Sequence, residues 1–159
     1  MKENTLLDKT DIAMLNLLQH QGRITNQELA DKINLTSAPC LRRLKRLESD
    51  GIVERYVGIL NRQALALEVM ALVSVALNSF SDQEIAQFEK FIADNANITE
   101  CYSVSGEYDF FLKIVASNIA EIENILLKQL LRLPIVRSAT TNFVLGERKN
   151  TTALPLNLG

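Results

Sequence analysis

Histidine occurs once in the 159 residues, as His20, and cysteine only twice, as Cys40 and Cys101. That shortage removes several kinds of chemistry. One histidine beside a helix end reads as a solvated surface residue, not as the centre of an acid–base or metal site. Two cysteines without a Cys-x-x-Cys pair make neither a disulfide framework nor a zinc ribbon. Two buried free thiols in a reducing compartment are the expectation. Cys101 lies between Glu100 and Tyr102 with no histidine near it in sequence to activate it. HExxH, EF-hand, Walker and Gly-x-Gly-x-x-Gly patterns are all missing. No catalytic residue, no metal and no cofactor is therefore expected. The longest apolar stretch, Val69 to Leu77, is interrupted by Ser74 and is too short for a membrane helix. Charges at Lys2, Glu3, Asp8 and Lys9 leave no signal-peptide pattern. A cytoplasmic protein with no membrane partner is expected.

Charge of one sign is also lacking. The net charge is −2, so any nucleic-acid footprint must be local. Residues 1–60 hold nine Lys and Arg against eight Asp and Glu, and the remainder eight against eleven. The split is too even to decide anything, so arrangement must. The length suits one domain or two small ones. A 60-residue piece would be marginal alone.

Residues 1–60 read as three helices. Asp8 can cap the first, with Ile12, Leu15 and Leu18 on one side and Met14 and Leu17 beside them. Asp8 and Asp11 read as a solvated first turn favoured by the helix dipole. Thr25 stands three residues before Glu28, the capping-box spacing, and opens a short second helix. Asn34-Leu35 make a tight turn. Thr36 can cap a third helix with Pro39 in its first turn, where a missing N–H is harmless, and Asp50-Gly51 ends it.

On that third helix Cys40, Leu41, Leu44 and Leu47 fall on one arc, and Arg42, Arg43, Lys45 and Arg46 on the other. Glu48 is the only acid between Asp31 and Asp50, so the cations lack partners four residues away. Such a stripe reads either as a solvated face or as a surface for a polyanion. The short preceding helix and turn favour the second reading, as in a helix-turn-helix. The small Ala38 and Pro39 at its start would allow approach to base edges in the major groove. Ser37 and the free first-turn N–H groups could hold a phosphate. Beyond Gly51, residues 52–60 alternate as one or two short strands, either a wing with Arg55 nearest DNA or a bare connector.

Residues 61–67 read as a linker, 68–149 as a second domain, and 150–159 as a loose tail or arm with few packing groups. The order in the second domain is βαββαβ: a strand over 68–78, a helix after Ser81 or Asp82 bearing Ile85, Phe88, Phe91 and Ile92, and strands over 98–104 and 108–115 joined at Ser105-Gly106-Glu107. A helix from Asn118 to Leu131 and a strand over 135–145 follow. This predicts an α+β fold whose antiparallel sheet has helices on one face only. The other face would expose Phe111 and Val115, so at least a homodimer is expected.

Leu7-Asp8-Lys9-Thr10-Asp11, Asn-Gln-Glu-Leu-Ala (26–30), Leu-Thr-Ser-Ala-Pro-Cys-Leu-Arg-Arg-Leu-Lys-Arg-Leu-Glu (35–48) and Gly51-Ile52-Val53 closely resemble the leucine-responsive regulatory protein/AsnC, or feast/famine, family. Glu-Cys-Tyr-Ser-Val-Ser-Gly-Glu-Tyr-Asp-Phe-Phe-Leu-Lys (100–113) and Leu-Leu-Arg-Leu-Pro (130–134) resemble it as well. The similarity runs over about residues 6–149. It implies a winged helix-turn-helix domain followed by a ferredoxin-like domain, and a transcription regulator of double-stranded DNA. Thr36 to Glu48 would be its recognition helix, with Thr36, Ser37, Ala38, Pro39, Arg42, Arg43, Lys45 and Arg46 as DNA-binding candidates. It also implies dimers assembling further, often to octamers, and a small amino acid such as Leu, Met or Asn as effector. The implied effector site is the Gly-x-Tyr/Phe-Asp turn, here Gly106, Tyr108 and Asp109, with Thr140 and Thr141 as weaker candidates. An ammonium group wants a carboxylate, which makes Asp109 the natural partner. The family turn often has Gly where this chain has Asn34, and Ser37-Ala38-Pro39 replaces a more usual Pro-x-Pro or Pro-x-Thr start. Two rivals remain. Some haem-pathway decarboxylases share the architecture, but a chain with only His20 argues against handling a tetrapyrrole. An amino-acid sensor that no longer binds DNA would not need the four cations.

Overall fold

The computed structural model describes residues 7–78 and 81–156. The outer ends of the expected 1–60 domain and of the 150–159 tail, residues 1–6 and 157–159, lie outside that range, as do residues 79 and 80. The chain divides into a helical unit, residues 1–59 with 149–159, and a sheet unit, residues 60–148.

The helical unit holds α1 (Lys9–His20), α2 (Asn26–Lys32) and α3 (Ser37–Ser49). Local chemistry sets each boundary. At α1 the Asp8 carboxylate accepts from Asp11 N–H at 2.8 Å, and the Asp11 carboxylate accepts from Asp8 N–H at 3.2 Å. Thr25 and Glu28 form the same reciprocal box at α2. Asn34 takes a left-handed φ of 55°, which its short amide tolerates, and Gly51 takes 72° after α3. Met14, Leu15, Leu29, Ala30, Cys40 and Leu47 are buried together.

Two expectations fail here. Residues 52–60 form no strand among the described residues, so of the two alternatives left open for this segment it is the connector that describes it. Alternation marks a strand only where a neighbouring backbone accepts its hydrogen bonds. After α3 the chain instead turns back, with Ile52 and Val53 N–H both donating to Leu47 C=O. The tail, too, is not loose. Leu156 packs with the helical core, and Gln19 of α1 bonds both the N–H and the C=O of Leu154.

In the sheet unit β1 (Val69–Leu77), α4 (Asp82–Asp94), β2 (Ile98–Ser103), β3 (Phe110–Ala116), α5 (Ile119–Lys128), a 3₁₀ turn (Leu130–Arg132) and β4 (Val136–Phe143) follow one another. The strands lie in the order β2-β3-β1-β4, every pair antiparallel. Alternation along β1 sends Ala71, Val73, Val75 and Leu77 to one face, where Phe88, Ile122, Ile125, Leu126 and Leu130 meet them. This is the core, and helices cover it from one side, as the pattern predicted. The helix-facing set of α5 differs slightly: Ile119 is exposed, and Ile125 takes its place. The segment 61–67 is a set of turns held by the Arg62 guanidinium, which donates to Leu67 C=O and Glu68 C=O at 3.0 and 2.8 Å. Both thiols are free, but only Cys40 is buried. Cys101 is exposed, because β2 is an edge strand.

Candidate nucleic-acid interface and ligand turn

On α3 the four cations do not form one free stripe. They make two rows, each of spacing three. Arg43 and Arg46 lean on α1, whereas Arg42 and Lys45 point outward. Arg43 Nη1 lies 2.6 Å from Asp8 Oδ2 and 2.9 Å from Asp11 Oδ1, and Arg46 Nη2 lies 2.5 Å from Asp11 Oδ2. Asp11 is only 1% exposed. It is the one buried charged residue among those described, and both its oxygens are used. The Asp11 N–H and the Arg43 guanidinium hold the Asp8 carboxyl below the usual carboxylate range, while Asp8 and Asp11 push Arg43 up.

The expectation that the cations lack partners is therefore corrected for two of the four. So is the reading of Asp8 and Asp11 as a merely solvated turn. Their partners come from 32 to 35 residues away, which no rule about neighbours on one helix detects. A signal was nonetheless present. Asp11 stands three and four residues before Met14 and Leu15, hence on the buried arc of α1, and a buried acid must find a cation.

Arg42 and Lys45 carry no hydrogen bond or ion pair among the described residues, and with Ala38 and Ser49 they form an exposed row. At the start of the helix Thr36 is the N-cap, but its side chain bonds no first-turn N–H. Those donors stay open toward an outside acceptor. Ser37 is less available than expected, since its hydroxyl donates to Gln27 Oε1 while its C=O accepts from Asn26. Pro39 sits in the first turn, where its missing N–H breaks no helix bond. Near the end of α3, Tyr56 donates to Glu48 at 2.9 Å, and desolvation together with that carboxylate pushes its pKa up to about 12.

In the sheet unit Gly106 has a φ of 126°, the conformation the turn requires. The Asp109 carboxylate is already engaged, with Oδ2 accepting from Leu77 N–H at 2.7 Å. Its main chain ties the turn to both neighbours, Asp109 N–H donating to Val75 C=O and Asp109 C=O accepting from Val104 N–H. Tyr108 Oη lies 3.1 Å from Thr140 Oγ1. Thr140 pairs with Ser74, on the face without helices, and Thr141 pairs with Val73, on the core face. Gly106, Tyr108, Asp109 and Thr140 thus share one neighbourhood, and Thr141 is turned away from it. Across the same open face Tyr102, Phe111, Ser74 and Thr140 form a continuous cross-strand row. One step along it, Lys113 bonds Glu100 at 2.9 Å and holds that carboxyl down.

His20 is exposed, with Nδ1 2.8 Å from Asn16 C=O. Among the described residues no group of three His, Cys, Asp or Glu could hold a metal ion, and no helix is long and apolar enough to cross a membrane.

Residues 7–54 match the winged helix-turn-helix DNA-binding model and residues 70–154 the Lrp/AsnC ligand binding domain model. The leucine-responsive regulatory protein of Haemophilus influenzae is 37% identical over 98% of this chain and 93% of its own. The transcriptional regulator AzlB of Bacillus subtilis is 32% identical over 96% and 97%. A transcriptional regulator of Neisseria meningitidis, solved in complex with L-methionine, superposes with a TM-score of 0.92 at 37% identity, covering 96% of this chain and 98% of that one. Two families of side chains on two units, one cationic helix and one glycine turn, thus coincide with matches that span nearly the whole sequence, and the chain belongs to the Lrp/AsnC family of DNA-binding transcription regulators, which are not enzymes.

Proposed function

We propose that this regulator contacts double-stranded DNA through the exposed row of α3, chiefly Arg42 and Lys45, with the open first-turn N–H groups of Ser37 and Ala38 receiving a phosphate. The observation that carries this reading is the absence of any carboxylate partner for those two cations among the described residues, beside two others that are ion-paired. A phosphate contact suits a cation that has no carboxylate to give up. Replacing both by Ala should weaken binding to duplex DNA without changing the far-UV circular dichroism. Unaltered affinity at low and moderate salt would overturn the assignment.

The sheet unit, on this reading, senses a small amino acid of the Met or Leu type at the turn of Gly106, Tyr108 and Asp109. Asp109 has one oxygen on Leu77 N–H, which leaves Oδ1 for an ammonium group. The Neisseria relative's complex with L-methionine supports that class of effector. A thermal-shift screen of the amino acids should single out one or two, and Asp109→Asn should erase the shift. The row of Tyr102, Phe111 and Ser74 on the open sheet face supports pairing of two copies in the cytoplasm, and further assembly. Sedimentation giving only monomers would exclude it.

A further inference from the structure

We propose that Asp8 and Asp11 are positioning residues for DNA binding, which seat α3 against α1 and keep Arg43 and Arg46 off the phosphates. This rests on the reading of α3 as the DNA-facing helix. Arg43 spends one nitrogen on two carboxylates, and Arg46 meets the second oxygen of Asp11. Moving either guanidinium to a phosphate would take one of two cationic partners from a carboxylate that is 1% exposed, and moving both would strand it. Such a buried charge has no water to replace the lost partner. A phosphate on a solvated surface offers a weaker, salt-screened attraction in exchange. The two rows on one helix therefore divide the work. One row fixes the tilt of the helix, and the other supplies the sequence-independent attraction.

The division has a consequence for specificity. Non-specific affinity rises with every phosphate a protein neutralises. A helix using four cations would hold any duplex strongly, whereas a helix using two leaves more of the total affinity to base contacts. The two aspartates set that ratio without touching DNA.

The test is the salt dependence of binding to a random-sequence duplex, measured on the full chain. Arg42→Gln/Lys45→Gln should flatten the slope of log affinity against log salt by about 1.8 per protomer, which reduces the loss between 50 and 200 mM salt roughly tenfold. Arg43→Gln, which leaves Asp11 paired with Arg46, should leave the slope unchanged. Arg46→Gln, which leaves Asp11 paired with Arg43, should do the same. A drop of about 0.9 in either of the last two would place that arginine on a phosphate and overturn the inference. If the Arg42/Lys45 variant also leaves the slope untouched, α3 is not the DNA-facing helix, and the proposed function falls along with the inference.

Discussion

The helical unit and the sheet unit are held together by different means. Among the described residues, fifteen buried apolar side chains cluster between the sheet and its helices, whereas six do so among α1, α2 and α3. A small unit cannot bury enough apolar surface to be stable by packing alone. The helical unit compensates with an ion-pair strut through Asp11 and with a strap, residues 152–156, laid on α1. Thr152, Leu154 and Leu156 line one side of an open pocket of about 390 Å³ whose other walls include Leu15, Leu18, Ile52 and Tyr56. The lesson is that charge placed on this unit serves two purposes, so a cationic helix cannot be read as ligand-facing merely because it is cationic.

The contrast can be broken most strongly at the two centres. Phe88→Ala should cost the sheet unit about 3–5 kcal/mol by leaving a cavity. Asp11→Ala should cost the helical unit about 3 kcal/mol, near the low end for a broken buried pair because both arginines are partly exposed. Hydrogen exchange resolved by segment would assign each loss to its own unit. Equal loss of protection throughout the chain in both variants would show that the two units do not differ in this way.

Ending the chain after Lys149 comes next. It removes the packing of Leu156 and the bonds between Gln19 and Leu154, a loss of about 1–2 kcal/mol confined to the helical unit. A melting temperature identical to that of the full chain would make the strap irrelevant to stability.

Caps give a finer comparison within the helical unit. Thr25→Ala deletes a reciprocal box and should cost about 1 kcal/mol. Thr36→Ala removes no cap bond and should cost at most a few tenths. Urea denaturation that ranks the two equally would contradict the difference.

The smallest effect is on pH. Asp8 has a lowered pKa in the folded chain, so its contribution is complete above 3.8, the ordinary value, and is lost as pH falls through the folded value. Asp8→Asn keeps a capping side chain and removes that dependence. The stability difference between the two proteins should therefore narrow as pH is lowered below 4. A gap that widens toward acid would reverse the sign.

Local signals were legible and distant ones were not. The cap at Asp8, the box at Thr25, the turn at Asn34, the stop at Gly51 and the hairpin at Gly106 all depend on residues a few positions apart, and each could be read directly. The order βαββαβ and the uncovered sheet face followed from periodicity. Residues 52–60 misled because a strand is a property of two segments, and the alternation of one could not reveal that the other was missing. Asp11 misled because its partners are a helix and a turn away in sequence terms, and a helix-dipole argument accounted for it too easily. Thr140 and Thr141 looked equivalent as neighbours, but a pleated strand sends them to opposite sides. Leu154 and Leu156 were too few to look like packing groups, although two apolar side chains suffice when the surface that receives them is already shaped.

The return of residues 152–156 to α1 alters what backbone cleavage would do. Topologically, the sheet unit is an insertion in the helical one, with both of its ends leading back to the same small body. A protease that nicks the turns at 61–67 would yield two fragments that still co-migrate under native conditions, because the downstream piece keeps its C-terminal grip on the upstream one.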